Sequence, residues 1–191
     1  MEAIAGKGAG RQEEGTSEPL QAALRRGANR GAKEKDNMKP KRVVDSHLSI
    51  SRLMEPTDAN LMGNVHGGVI MKLVDEVGGI AASRHAQRPA VTVAIDSVTF
   101  ISPIHIGDLV VLAARLTRVG RTSMEVEVHV EAENLFTGER THTNSAYIVY
   151  VALDEKGKPT EVPRLIAETE EQRRRMREAE MRQAQRLERQ K

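Results

Sequence analysis

No cysteine and no tryptophan occur in the 191 residues, and only two phenylalanines and two tyrosines do. Without cysteine there is no disulfide, no thiolate nucleophile and no cysteine-ligated metal site. With so few rings, a surface that stacks nucleobases has nothing to be built from. No apolar run approaches the ~20 residues of a membrane-spanning helix, and no apolar core of a secretory signal opens the chain. The expectation is a cytoplasmic protein with no membrane contact. The net charge of +2 is unevenly spread. Residues 1–45 carry 10 Lys+Arg against 7 Asp+Glu and residues 168–191 carry 8 against 6, whereas the stretch between carries 11 against 14. A nucleic-acid domain concentrates basic residues on its folded part. Here the basic excess sits at the two ends, so no nucleic-acid partner is expected.

Three zones follow. Residues 1–42 hold one Ile, two Leu and no Val, Phe or Tyr, too little apolar surface to offset the entropy of ordering, which predicts a disordered extension. Residues 43–163 carry the fold. His47 to Met54 reads as a first strand, and Glu55 to Asn60 as a turn-rich loop. From Gly67 the pattern turns helical, with Ile70, Leu73, Val74, Val77 and Ala81 at the spacing of one buried stripe. Four strand signals come next: Val91–Ile101, Leu109–Leu116, Met124–Glu133 and Thr143–Leu153. In the third, Met124, Val126, Val128, Val130 and Ala132 alternate with polar residues and face inward. One strand, one helix and four strands predict an α+β domain, an antiparallel sheet packed on a single helix. Residues 164–191 form a charged, helix-forming tail. Met176, Met181 and Leu187 are too sparse for a coiled coil, so the tail is expected to be a solvated helix or an arm against a partner subunit.

The chemistry concentrates in Asn64-Val-His-Gly-Gly-Val-Ile-Met-Lys-Leu-Val-Asp75. A glycine pair runs into a helix whose first N–H groups are unpaired and reinforced by the helix dipole. Gly67 and Gly68 let an oxygen approach the backbone closely, so they are candidates to hold a carbonyl that gains negative charge. Asn64 precedes them, and Asp75 lies about two turns further on, clear of the apolar stripe and beside Met71, Gly78, Gly79 and Ala82. The set suits acyl transfer or hydrolysis. His66 reads as a loop-fixing cap and His129 as a solvated strand residue. The remaining histidines show no metal-ligand spacing, so no metal is expected. No Gly-x-Ser-x-Gly elbow is present.

The run Pro56-Thr-Asp-Ala-Asn-Leu-Met-Gly-Asn-Val-His-Gly-Gly-Val-Ile-Met-Lys-Leu-Val-Asp-Glu-Val-Gly-Gly79 resembles the hotdog-fold acyl-CoA thioesterases of the cytosolic, brain-type group. The resemblance continues through Thr99–Asp108, Arg121–Val128 and Val162-Pro-Arg-Leu165, and covers about 120 residues. It implies a curved antiparallel sheet wrapped around one long helix, followed by a charged C-terminal helix. It also implies hydrolysis of acyl-CoA to a fatty acid and CoA, without a cofactor. The active sites would lie at a homodimer seam, each with Asn64 of one subunit and Asp75 of the other, in a trimer of dimers. CoA brings phosphates, for which Arg121, Thr122, Ser123 and Arg84 are the candidates. The rival reading is a hotdog module that binds acyl-CoA as a sensor without hydrolysing it.

Overall fold

The computed structural model describes residues 38–189. The elements, in order, are β1 (Lys41–Arg42), α1 (Val43–Ser46), β2 (Leu48–Leu53), a 3-10 turn (Pro56–Asp58), α2 (Gly67–Ala86), β3 (Ala90–Phe100), β4 (Leu109–Val119), β5 (Ser123–Glu133), β6 (Arg140–Ala152), β7 (Leu165–Ile166) and α3 (Glu170–Arg189). Of the extension expected over 1–42, residues 1–37 lie outside the described residues. Its last part is paired: β1 runs parallel to β7.

Strands β2 to β6 form one antiparallel sheet in the order β2-β4-β5-β6-β3. The helical stripe finds its partner here. Ile70, Leu73, Val74, Val77, Ala81 and Ala82 of α2 are buried in one cluster with Leu112, Ala114 and Leu116 of β4, the alternate residues Met124, Val126, Val128, Val130 and Ala132 of β5, and Ala146, Ile148 and Tyr150 of β6. This is the hotdog arrangement, a sheet curved about one long helix. The helix ends at Gln87, which takes up the left-handed conformation as a C-cap. His85 is fully buried near that end; its Nε2 donates to the Pro163 carbonyl (2.8 Å) and its Nδ1 accepts from Ser46 Oγ (3.1 Å). Burial holds this ring below the usual histidine range, in keeping with its role as a neutral tie between segments. Among the described residues, no helix is long and apolar enough to cross a membrane.

The C-terminal helix departs from expectation. It does not extend from the domain: α3 lies with one stripe on the outer face of its own sheet, while its other faces stay exposed. Its inward stripe is Arg175, Ala179, Arg182 and Arg186, at helical spacing, and what it covers is Glu125 and Glu127. Alternation places these two acids on the outer face of β5, yet they are only 1% and 4% exposed. Glu125 accepts from Arg182 Nη2 and Arg186 Nη2, each at 2.8 Å, and from Thr117 Oγ1 at 2.8 Å. Glu127 accepts from Arg175 Nη1 (2.6 Å) and Tyr147 OH (3.2 Å), and pairs with Arg115 (3.2 Å). Arg182 also stacks over the Tyr147 ring at 3.7 Å, and Arg186 pairs with Asp96 of β3. A helix can therefore dock through a polar stripe that hydrophobic patterning does not detect. His129 also differs from expectation: it stacks on His142, with centroids 4.2 Å apart.

Removing one partner of a buried ion pair leaves the other desolvated and uncompensated. Glu125→Ala is expected to lower stability by about 3–5 kcal/mol, measured by urea unfolding at fixed protein concentration. A loss below about 1 kcal/mol would mean that the clamp behaves as a surface salt bridge.

Candidate active site

The approach to α2 is built from short local bonds. Asp58 pairs with Arg52 at 2.8 Å and accepts from the Glu55 N–H at 3.0 Å, while its carbonyl receives the His66 N–H at 2.8 Å. The loop then closes on Asn60. The Asn60 N–H donates to the Asn64 carbonyl (2.7 Å), and its side-chain Oδ1 accepts from the N–H groups of Met62 (2.8 Å) and Asn64 (3.3 Å). Gly63 turns the chain at φ 81°, a conformation that favours glycine. Residue 60 thus has a carboxamide held through its oxygen, so its NH₂ group is the part that can donate elsewhere.

His66 is the N-cap of α2: its Nδ1 accepts from the Gly68 N–H at 2.9 Å. That separates the two glycines. The Gly68 amide already has a partner, whereas Gly67, the first helical residue, offers an N–H with no intrahelical acceptor. A Cβ at Gly67 would lie 3.4 Å from the Phe100 ring.

Asp75 sits two turns along the same helix, half-buried on its flank. Two hydroxyls reach it. Thr92 Oγ1 donates to Oδ1 at 2.5 Å, and Tyr150 OH donates to the backbone carbonyl at 2.9 Å, with Oδ1 at 3.5 Å. Both donors fix the position of the carboxylate on its turn of helix. The Tyr150 phenol, buried beside that carboxylate, is pushed well above its usual range and stays a donor. A shallow cleft of about 530 Å³ opens here, lined by Asp75, Gly79, Ile80, Arg84, Thr92 and Tyr150 among others. A carboxylate that lines an open cleft with one oxygen held by a hydroxyl is an arrangement for a base or a nucleophile.

Asn64, Gly67 and Gly68 do not line this cleft. Nor do Arg121, Thr122 and Ser123. Arg121 pairs with Glu161 at 3.4 Å and borders a separate cavity of about 380 Å³ with Arg118 and Arg164. Thr122 is buried, its carbonyl accepting from the Ala152 N–H. Arg84 does line the cleft, although one guanidinium nitrogen donates to the His47 carbonyl at 2.9 Å. Thr92 and Tyr150 are absent from the sequence expectation. Both read as ordinary strand residues; the one hint is the Gly78-Gly79 pair beside Asp75, which implies a bulky neighbour.

A family profile described as thioesterase superfamily matches residues 62–135. A solved structure described as an apo hexameric acyl-CoA thioesterase is 40% identical, with a TM-score of 0.77, over 80% of this chain and 97% of that one. The chain belongs to the thioesterase superfamily, with the acyl-CoA thioester hydrolases. An acyl-CoA hydrolase from Staphylococcus aureus, solved with butyryl-CoA and CoA, is 32% identical, with a TM-score of 0.74, over 78% of this chain and 92% of that one. The cytosolic acyl-CoA thioester hydrolase of Rattus norvegicus is 40% identical over 144 residues, 74% of this chain. The chain spans only 38% of that relative's length. For this family member, a cap and not a base is the role that geometry gives His66. His66→Ala should lower stability by about 1 kcal/mol, and His66→Asn, which keeps a side-chain acceptor, should restore it in thermal unfolding. Equal stability of all three would remove the capping role.

Proposed function

We propose that the protein hydrolyses acyl-CoA thioesters to free acid and CoA, with Asp75 as the reacting carboxylate. The observation that carries this reading is the hold on Asp75: Thr92 fixes Oδ1 at 2.5 Å beside an open cleft, leaving Oδ2 for chemistry. Asp75 takes a proton from water as that water adds to the thioester carbon, and the proton passes to the leaving thiolate as the C–S bond breaks. Or Asp75 attacks the carbon itself and expels the thiolate, and water then cleaves the acyl–Asp75 anhydride, giving the free acid, the restored carboxylate and the proton that makes CoA. The amide at the start of α2, Gly67 above all and Gly68 if its cap releases, polarises the carbonyl. One such donor is worth ~10²–10³ in rate. The chemistry requires no metal or cofactor, and acyl-CoA is the only small-molecule partner it requires.

The two halves of the site cannot come from one subunit. From Gly67 to Asp75 is eight residues, about 12 Å at 1.5 Å rise each, too far for both to act on one carbonyl. A homodimer that sets the start of one α2 against the Asp75 flank of the other meets the need, and three such dimers make the hexamer. The hexameric relative supports this assembly. Arg84 beside the cleft and Arg121 at the second cavity are the cations proposed for the CoA phosphates, with Ser123, at the start of β5 two residues after Arg121, as the hydroxyl. Thr122 is kept in that set only through its backbone. A cytoplasmic location agrees with the rat relative's name.

The assisting amide is Asn64 or Asn60, and spacing favours the second. The S. aureus enzyme has been solved with alanine in place of an asparagine, an aspartate and a threonine; the asparagine lies 15 residues before the aspartate and the threonine 17 after it. Here Asn60 is 15 residues before Asp75 and Thr92 is 17 after it, whereas Asn64 is 11 before. The fixed carboxamide of Asn60 suits a donor to the carbonyl or to water.

The test is thiol release from acetyl- to palmitoyl-CoA, with no cysteine in the protein to add background. Asp75→Ala should abolish turnover with the oligomer intact; unchanged turnover sinks the assignment. Asn60→Ala should cost ~10²-fold and Asn64→Ala less than tenfold, and the reverse order would return the role to Asn64. Mixing Asn60→Ala with Asp75→Ala subunits should restore activity through sites that pair an intact half from each. No recovery after verified subunit exchange would rule out sites shared between subunits.

A further inference from the structure

We propose that Tyr150 is a positioning residue for Asp75: its hydroxyl ties the carboxylate-bearing turn of α2 to β6, and the Gly78-Gly79 pair is there to admit its ring. The proposal rests on the thioesterase reading for its readout, but its geometry is independent of it. Thr92 and Tyr150 are direct cross-strand neighbours on β3 and β6, so both hydroxyls arrive at the same helical turn. They divide the work. Thr92 holds the side-chain Oδ1, while Tyr150 holds the main-chain carbonyl at 2.9 Å and lies 3.5 Å from Oδ1. A helical carbonyl has a second lone pair beyond its intrahelical bond, so Tyr150 adds a tether without breaking the helix.

The helix is shaped around this contact. Two glycines inside a twenty-residue helix are destabilising on their own account. A Cβ at Gly78 would collide with the Tyr150 hydroxyl and sit 3.1 Å from Cζ, and one at Gly79 would meet the ring at 3.6 Å. The ring itself is only 1% exposed, so a hydroxyl without acceptors there would be costly. Asp75 supplies them. A tether of this kind sets where Oδ2 points, and displacements of about an ångström at a reacting group can cost ~10²-fold.

Tyr150→Phe removes the hydroxyl and keeps the ring. Expected is a fall in kcat of about tenfold with KM unchanged within twofold and the oligomer intact. In an Asp75→Asn background the same change should leave the residual rate unaltered, because a residue acting through Asp75 has nothing left to position. Gly78→Ala tests the contact from the helix side: it should lower kcat in the native protein and add less than twofold in Tyr150→Phe. A tenfold loss that persists in the Asp75→Asn background overturns the proposal, as does a Tyr150→Phe enzyme with native kcat. Should Tyr150→Phe fail to assemble, Gly78→Ala decides alone, and native kcat in that variant overturns the proposal. No thiol release from any acyl-CoA by the native protein would instead overturn the thioesterase reading itself, and hydrolysis that Asp75→Ala leaves intact would overturn the assignment of Asp75; both are read before Tyr150 is touched.

Discussion

The seam between α2 and the inner face of the sheet fixes everything else in the molecule. Once Ile70, Val74, Val77 and Ala81 are buried against β4, β5 and β6, the rotation of the helix is set, because turning it would expose that stripe. Asp75 then has one place to be, on the flank toward β3 and β6. The small residues on that flank let the sheet come close enough for Tyr150 of β6 to touch the helix backbone and for Thr92 of β3 to reach the Asp75 carboxylate. The carboxylate held this way borrows its precision from the core and requires no loop to hold it.

The other face of the same sheet is organised by charge. Glu125 and Glu127 lie back to back with the inward row of β5, and each is shielded by arginines of α3. Carboxylates this deeply buried are unfavourable unless every oxygen is satisfied, and here guanidinium groups, Thr117 and Tyr147 supply the donors. The helix and the acids are thus matched: α3 takes Glu125 and Glu127 out of water and supplies the guanidinium partners that their burial demands.

The inner half of this structure is legible in the sequence because it is apolar and periodic. The stripe of α2 and the alternation from Met124 to Ala132 state their faces outright. The outer half is not, since Arg175, Arg182 and Arg186 have the composition of a solvated helix, and only the acids beneath reveal them as a docking surface. In the site, Asp75 and the helix-entry glycines stand out because they break the local pattern. Thr92 and Tyr150 obey it, Thr92 as a β-branched strand residue and Tyr150 as a core aromatic, so their second role is visible only in three dimensions. His66 is legible as a cap, but its consequence, that the Gly68 amide is already partnered, is not.

The two faces meet at β3. This is an edge strand, paired on one side with β6 and interrupted by two register shifts, so its free edge is the natural place for a second sheet to join. It carries Thr92 on the site side and Asp96 four residues on, where Arg186 of α3 pairs with it. The C-terminal helix therefore pins the strand that orients Asp75, although no residue of α3 lines the cleft. Strand position, carboxylate orientation and the edge available to a partner are set together.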